Sequence, residues 1–191
     1  GGLVERGGAG RGGAGAMGPP AGGLRTLRAR GVSAEGFARF GRLVGPLPDG
    51  AGYEAGLAAG REARLVLDRG QPRFYIMRLP AKGLGFDRIT HHKACTQCLG
   101  GLGPEPWYMA VAEASEVGPS ETDLHAFRIP PGVFVQLDEG TWHAGPLFGG
   151  NAERDFYNLE LTDTNQVDHH NHVYGREGLT FKVVDEDGND Q

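Results

Sequence analysis

Short segments rich in branched and aromatic residues recur about every ten residues along most of the chain, and Gly or Pro bounds many of them. No helical pattern of comparable length interrupts the later segments, so their succession predicts an all-β sandwich or barrel. The predicted strands are LRTLRARGV (24–32), REARLVLD (61–68), PRFYIMRL (72–79), FDRITHHKACTQCL (86–99), PWYMAVAEA (106–114), LHAFRIP (124–130), GVFVQLD (132–138), TWHAGPLF (141–148), DFYNLELT (155–162) and LTFKVV (179–184).

One helix is predicted near the start of the chain, over residues 33–44. Ser33 is a preferred N-cap residue, and Phe37, Phe40 and Leu43 follow it at helical spacing. We therefore expect a short N-terminal helix beside a strand-rich domain.

Glycine is concentrated in the first part of the chain. The sequence has 34 glycines in 191 residues, and residues 1–24 offer almost no large apolar side chain to bury. Ordering such a segment costs backbone entropy with little gain. We predict a flexible Gly-rich leader over residues 1–24 and a single domain over residues 25–191.

The start of the chain is also basic, with Arg25, Arg28 and Arg30 close together and Glu5 as the one acid before Ala34. An acid-poor, Arg-containing start is typical of organellar transit segments, although a disordered tail or an expression scar has the same appearance. A cytoplasmic location and an organellar one, such as the chloroplast, both agree with this pattern.

The overall charge disfavours two classes of partner. A formal net charge of −5 and a pI near 5.8 argue against a nucleic-acid surface, because phosphate contacts need clustered Lys and Arg. No apolar run approaches the roughly 20 residues that cross a bilayer, so no membrane span is expected.

The stretch PPGVFVQLDEGTWHAGP (130–146) is the most informative about architecture. A Pro-Gly turn, an apolar strand and a second turn precede Trp142 and His143. In double-stranded β-helix barrels such an arrangement places the His at the barrel mouth. A β-sandwich with an incidental surface His is the alternative.

Cys95 and Cys98 form a CxxC pair. A zinc or redox site would need a second ligand pair or a helix N-terminus, and neither accompanies this pair. On a strand, residues three apart point to opposite faces and cannot share a metal. We therefore expect two free thiols of a reducing compartment.

The chain resembles the ureidoglycolate lyase family, formerly called ureidoglycolate hydrolase, of the cupin superfamily. The resemblance covers about residues 37–168 and is closest to a plant, algal or cyanobacterial branch. It is carried by SAEGFARFG (33–41), ITHHKACTQCLGGL (89–102), WYMAVA (107–112), LHAFRIPPGVFVQLDEGTWHAGPLF (124–148) and RDFYNLEL (154–161). It implies a cupin-type double-stranded β-helix, or jelly-roll barrel, for the single domain over residues 25–191.

The resemblance also implies a homodimer that acts late in purine or allantoin breakdown and splits ureidoglycolate into glyoxylate and urea. In that family the catalytic site is built from positions that correspond to His92, Gln97 and His143. The substrate would be a small anionic metabolite, and the candidate binding residues around the site are Lys93, Thr96, Trp142, Asn158 and Glu160. The cations available for the substrate's carboxylate are Arg73, Arg78, Arg88 and Lys93.

Histidine suits the chemistry of a carbinolamine such as ureidoglycolate, because its pKa allows it to accept or donate a proton near neutral pH. His143 is expected to act as a base or as a metal ligand. Strand alternation, however, puts His92 on one face and His91 and Gln97 on the other. Either a bulge brings His92 and Gln97 together, or the true pair is His91 with Gln97.

No cofactor is required by this chemistry, and a divalent metal on His92, Gln97 and His143 is the alternative. Cupins commonly hold such an ion with three His and a Glu, and here Gln97 stands where an acid would, so the ligand set lacks charge. The run VDHHNHVY brings three further imidazoles together at His169, His170 and His172, and its Asn and Asp neighbours indicate an exposed loop.

Asn158 and Glu160 alternate with apolar residues in DFYNLELTD, and solvent is the preferred environment for both, with the site as the alternative. Family members often carry a second His directly after the Trp-His pair, where this chain has Ala144 and Gly145. A catalytically inactive cupin serving as a binding or structural subunit of a larger assembly is therefore the second hypothesis. A metal-dependent isomerase or dioxygenase is the third.

Overall fold

The computed structural model describes residues 22–47 and 61–186. Two short helices, α1 (Ala34–Phe37) and α2 (Thr164–Val167), lie in this part of the chain. The strands of the described residues are β1 (Gly23–Gly31), β2 (Gly41–Val44), β3 (Pro72–Leu79), β4 (Gly85–Phe86), β5 (Arg88–His91), β6 (Gln97–Gly101), β7 (Trp107–Ala112), β8 (His125–Ile129), β9 (Phe134–Leu137), β10 (Trp142–Leu147), β11 (Arg154–Leu161), β12 (His170–Val173) and β13 (Leu179–Asp185).

The strands form two curled sheets that together make a half-barrel. The larger sheet has the order β12-β5-β10-β7-β8-β1-β13-β4, and the smaller has the order β2-β9-β6-β11-β3. Most pairings are antiparallel, whereas β1 runs parallel to both β8 and β13. The predicted all-β, cupin-like fold is confirmed.

The space between the sheets is apolar in one region and polar in another. Alternate residues of each strand point inward, and the main core cluster includes Trp107, Met109 and Val111 of β7 together with Phe127 and Ile129 of β8. Along β11 the inward-facing side chains change from Phe156, which belongs to this core, to polar residues further along the strand. The polar region between the sheets is where a functional site can form.

The predicted N-terminal helix is present but much shorter than residues 33–44. Ser33 caps α1 as expected, with its Oγ accepting from Gly36 N, and Phe37 and Phe40 are fully buried. The helix ends before Gly41, whose φ of +148° lies outside the helical region and is disfavoured for residues with a Cβ. The residues that follow pair with β9 as strand β2.

The predicted strand over residues 61–68 is wrong. Two of its N–H groups donate to side chains, Arg64 N to Gln136 Oε1 at 2.7 Å and Val66 N to Thr96 Oγ1 at 3.0 Å. Two of its carbonyl oxygens accept from backbone, that of Arg61 from Gly45 N and that of Val66 from Thr96 N, each at 3.1 Å. These separated bonds do not make the continuous ladder of a strand pair.

The predicted strand over residues 86–99 consists of two strands, β5 and β6, separated by a turn at residues 92–96. The carboxylate of Asp168 closes this turn, because it accepts from Lys93 N at 2.9 Å and from Ala94 N at 2.7 Å. Strand alternation is therefore interrupted between His91 and Gln97, by this turn and not by the predicted bulge.

The predicted leader, residues 1–24, lies mostly outside the described residues. Its last two residues, Gly23 and Leu24, belong to β1 and pair with Leu179 and Thr180. In the part of the chain that the structure describes, no helix is long and apolar enough to cross a membrane.

Gly41 of β2 lies against the backbone of β9, the strand that precedes the turn before His143, and a larger residue at this position tests that close approach. A Cβ at this position would lie 1.8 Å from the carbonyl oxygen of Gln136, whereas one at Gly31 would meet nothing within 4 Å. We expect Gly41→Ala to lower the free energy of unfolding by more than about 2 kcal/mol, because backbone must move. Urea denaturation of both variants measures this, and Gly31→Ala should stay within about 1 kcal/mol of the native protein. Equal stability of the two variants would contradict the close approach at Gly41.

Candidate functional site

A cavity of about 460 Å³ opens between the two sheets. His143 of β10 lines it from the larger sheet, whereas Gln97 of β6 and Asn158 and Glu160 of β11 line it from the smaller one. His92, the first residue of the turn after β5, completes the polar group. The structure thus brings together the three residues that the sequence singled out, His92, Gln97 and His143.

The ring of His92 is oriented by a backbone carbonyl. Its Nδ1 lies 2.7 Å from the carbonyl oxygen of Asp168, which can only accept, so Nδ1 carries the proton and Nε2 has a free lone pair. Burial lowers the pKa of His92, although the hydrogen bond to Asp168 and the negative charges of Glu160 and Asp168 oppose this shift. The ring is therefore neutral at pH 7.

His143 shows the same arrangement on the opposite sheet. Its Nδ1 lies 3.2 Å from the carbonyl oxygen of Thr141, which leaves Nε2 as the unprotonated nitrogen. Burial and the nearby ring of His92 lower the pKa of His143 to about 3. The centroids of the two rings are 5.2 Å apart, so two neutral imidazoles with free Nε2 atoms lie side by side.

Glu160 is fully buried and organises the smaller-sheet wall of the cavity. Its Oε1 accepts from Arg73 Nη2 at 2.6 Å, from Tyr75 OH at 3.1 Å and from Asn165 Nδ2 at 3.2 Å, and its Oε2 accepts from Gln97 Nε2 at 2.9 Å. The hydrogen bond to Glu160 raises the pKa of Arg73 above its ordinary value. The pair is therefore a buried carboxylate neutralised by a guanidinium.

The preference of Asn158 and Glu160 for solvent is wrong, since they are 1% and 0% exposed. Asn158 Nδ2 donates to Tyr75 OH at 2.9 Å. Arg73 lies directly opposite Glu160 on β3, so the charge that permits burial comes from a neighbouring strand. Burial raises the pKa of Tyr75, whose hydroxyl remains protonated and donates to the carboxylate.

Two of the predicted carboxylate-binding cations have other partners. Arg73 is committed to Glu160, and Arg78 is on the outer face, where it makes two hydrogen bonds to Asp155. Lys82 and Arg88 are the positively charged residues among those described as lining the cavity. Lys82 was not among the sequence candidates, because an isolated loop lysine carries no signal of its own.

Lys93, Thr96 and Trp142 are not among the residues that line the cavity, which corrects their predicted place there. Lys93 Nζ extends outward to Glu116 at 2.6 Å, and Thr96 Oγ1 is taken up by the backbone of Val66. Trp142 points to the other side of β10 from His143, where its Nε1 donates to Ser115 Oγ at 3.0 Å.

His91 faces away from the cavity. Its ring stacks on Trp142 with centroids 3.8 Å apart and planes at 7°, and its Nδ1 lies 3.2 Å from the carbonyl oxygen of Gly140. Of the two alternatives in the sequence, the pairing of His92 with Gln97 is the one that the structure brings together.

The cluster of His169, His170 and His172 does not form one site. His170 and His172 belong to β12 rather than to a loop, and β12 pairs with β5. His169 lines the cavity, with its ring 5.7 Å from that of His92. The predicted exposed loop is confirmed for His169, which precedes β12 and is exposed, and is wrong for His170 and His172, which are in the strand.

Metal ligation was the alternative for His92, Gln97 and His143. The donors that they offer are two neutral imidazoles and an amide oxygen, and the nearby carboxylate of Glu160 is already bound by four side chains. No group of three His, Cys, Asp or Glu that could hold an ion occurs in residues 22–47 and 61–186. Two imidazoles and one amide do not match the ligand sets usual for a catalytic divalent ion, which have three His or add a carboxylate or thiolates.

Cys95 and Cys98 are both free and buried. Burial raises the pKa of the Cys98 thiol to about 12 and also raises that of Cys95, so neither forms a thiolate at neutral pH. Cys95 lies at 3.6 Å from Thr164 Oγ1. The two thiols have the environment of structural cysteines.

In the comparison with known families, the family model described as ureidoglycolate lyase matches residues 24–181. This region contains every cavity-lining residue discussed above. A search of curated proteins finds no matching sequence.

The lowered pKa of His143 predicts a pH dependence of stability. Between the ordinary His pKa of about 6.5 and a folded-state value near 3, the unfolded chain binds a proton that the folded chain does not. This contribution to stability is complete about one pH unit above 6.5 and is lost as the pH falls below that. From pH 7.5 to pH 5 the loss should be about 2 kcal/mol.

Urea denaturation of the native protein and of His143→Gln at both pH values measures this loss. The variant should show a smaller decrease by about that amount, because Gln does not titrate. Parallel pH profiles for the two proteins would contradict a neutral, buried His143.

Proposed function

The chain belongs to the ureidoglycolate lyase family, and we propose that it splits ureidoglycolate into glyoxylate and urea. The observation that carries this proposal is the pair of neutral imidazoles, His92 and His143, each with an unprotonated Nε2. Both line one cavity together with two buried amide residues, Gln97 and Asn158. The proposed setting is late purine or allantoin breakdown, as the resemblance implies.

The reaction needs a proton to be moved from oxygen to nitrogen. A base removes the hydroxyl proton of the carbinolamine, and the electron pair of that oxygen forms the aldehyde carbonyl of glyoxylate as the C–N bond breaks. The urea nitrogen keeps the electrons of that bond and takes up a proton. One imidazole can perform both transfers, because it holds the proton between the two events.

We assign the proton transfers to His92. The charges of Glu160 and Asp168 favour its protonated form, whereas His143, with its pKa near 3, is the weaker base. His143 instead accepts a hydrogen bond from the substrate through Nε2. These roles differ from the prediction from the sequence, in which His143 acts as the base or as a metal ligand.

The carboxylate of ureidoglycolate needs positive charge or N–H donors. Lys82 and Arg88 line the cavity and supply that charge. His169 gives the cavity a third imidazole beside His92, while Ala144, which stands where family members often have a second His, also lines it.

The experiment that tests the function is the turnover of racemic ureidoglycolate, followed by the release of glyoxylate. We expect His92→Gln to lower kcat by about 10²- to 10⁴-fold, because it removes the proton carrier and keeps an amide of similar size. His125→Gln is the matched control, since His125 does not line the cavity, and it should retain native turnover.

Absence of glyoxylate formation by the native protein, with and without added divalent metal, would contradict the proposal. Metal analysis of the purified, active protein separates the metal-free reaction from a metal-dependent one. Native turnover by His92→Gln would remove His92 from the mechanism and leave the family assignment intact.

We further propose that the chain forms a homodimer through the outer face of the smaller sheet. Phe74 and Ile76 of β3 are 64% and 53% exposed there. The ring of Tyr157 stacks on Phe74 at 5.3 Å and on Phe134 at 5.5 Å, which extends the apolar row across the sheet. An exposed apolar patch of this kind suits a symmetric contact with a second copy of the chain.

Sedimentation velocity tests the dimer. The native protein should sediment as a dimer of 20.3 kDa chains, and Phe74→Ser combined with Ile76→Ser should sediment as a monomer because the apolar contact is lost. Val117→Ser removes an apolar side chain that is also exposed, at 76%, but lies in a loop, and it should remain dimeric. A monomeric native protein would overturn this proposal.

A further inference from the structure

Two amide oxygens of the cavity residues, Gln97 Oε1 and Asn158 Oδ1, have no hydrogen-bond donor in the described structure. Both side chains are more than nine-tenths buried, with exposures of 7% and 1%. Gln97 and Asn158 both line the cavity. Buried polar atoms are almost always paired, so two unpaired acceptors on cavity-lining residues indicate a ligand that donates hydrogen bonds.

The orientation of both amides is dictated by their other partners. The Glu160 carboxylate can only accept, so Gln97 must turn its NH₂ group to it. The hydroxyl hydrogen of Tyr75 is given to Glu160, so its oxygen accepts from the NH₂ group of Asn158. A flip of either amide would face an acceptor with an oxygen or lose a donor bond. These partners therefore leave Gln97 Oε1 and Asn158 Oδ1 as the atoms without a donor.

The sheet register places the two amides close together. Gln97 and Asn158 are on the inner face of neighbouring antiparallel strands, where Asn158 is opposite Leu99, the next inward residue after Gln97. The two residues are diagonal neighbours, whose Cβ atoms in a sheet are about 7–8 Å apart or less, within reach of long side chains. One small molecule in the cavity can therefore contact both residues. Their two oxygens are enclosed in the described structure, so the ligand reaches them through a small movement of the surrounding side chains, as is common on binding.

We infer that Gln97 Oε1 and Asn158 Oδ1 form an acceptor pair that binds the N–H groups of the substrate's ureido end, with the carboxylate directed to Lys82 and Arg88. This inference rests on the proposed function and specifies how the substrate is oriented. A ureido group carries N–H donors on both nitrogens, whereas a carboxylate would be repelled by two carbonyl dipoles and by the nearby charge of Glu160.

The acceptor pair also makes the site selective for N–H donors. An analogue in which methyl replaces the terminal NH₂, or in which an ester oxygen replaces the inner N–H, leaves a buried acceptor unpaired when it displaces water. The site therefore distinguishes ligands by their ureido group as well as by their carboxylate.

Three non-reacting probes with the same carboxylate test this selectivity. N-carbamoylglycine has the full ureido group, N-acetylglycine keeps one N–H, and O-acetylglycolate has none. Calorimetric titration of the native protein should give dissociation constants that rise by at least about fivefold at each step of this series. Equal dissociation constants for the three probes, or no binding of N-carbamoylglycine, would overturn the inference.

Gln97→Leu and Asn158→Leu remove the acceptors one at a time. Each should weaken N-carbamoylglycine by at least about fivefold and O-acetylglycolate by less than about twofold. Gln71→Leu is the matched control on an exposed Gln that does not line the cavity, and it should bind all three probes like the native protein. An equal loss for all probes would assign the two amides a structural role only.

The probe titrations test the acceptor pair, whereas the turnover assay tests the proposed reaction, so either proposal can fail alone. If a variant fails to fold, as judged by its circular dichroism, the probe series on the native protein still decides the inference. Turnover of ureidoglycolate together with equal probe affinities would overturn the acceptor pair alone. Selective binding of N-carbamoylglycine without turnover would overturn the proposed reaction and leave the acceptor pair supported.

Discussion

The carboxylate of Glu160 lies at 0% exposure and is contacted by four side chains from three parts of the chain. A buried charge is tolerated only when a countercharge and hydrogen bonds replace its water. Arg73, Tyr75, Gln97 and Asn165 must therefore keep the conformations that satisfy it whenever the domain is folded. The requirement acts on the cavity as well, because the donors used on Glu160 are not available to a ligand. The polar groups of this wall that remain unpaired are therefore those that do not donate to Glu160, chiefly amide oxygens.

Asp168 imposes the second constraint, on the opposite side of the site. Its carboxylate holds the backbone of Lys93 and Ala94, and its carbonyl orients the ring of His92. One residue thus closes the turn that follows β5 and selects the tautomer of the imidazole that begins this turn. Substituting the side chain at this position would remove the bonds to the turn while the backbone carbonyl remained, so the effect on His92 would be indirect, through the path of the turn.

Most strands could be predicted from the sequence, because alternation and Gly-Pro boundaries are local features. It failed where the determining partner is distant along the chain. His92 and Gln97 seemed to face opposite ways because nothing local reveals that Asp168, about 75 residues later, closes a turn between them. Glu160 seemed to prefer solvent because its partner Arg73 is on another strand. Residues 61–68 have strand-like composition, yet their backbone makes only separated hydrogen bonds to side chains and to Gly45 and Thr96. Each error concerns a tertiary contact that overrides a local preference.

The neutral state of the imidazoles follows from the same architecture. A backbone carbonyl accepts the Nδ1 proton of His92 and of His143, so neither ring needs a carboxylate to fix its tautomer. A carboxylate at Nδ1 would raise the pKa of each ring and favour the cation. With carbonyls there, burial dominates and lowers both pKa values, so both Nε2 atoms remain lone-pair acceptors. Both rings line the same cavity as Gln97 and Asn158. The described interior therefore offers a ligand mainly acceptors, and a substrate rich in N–H and O–H donors is the chemical complement of that surface.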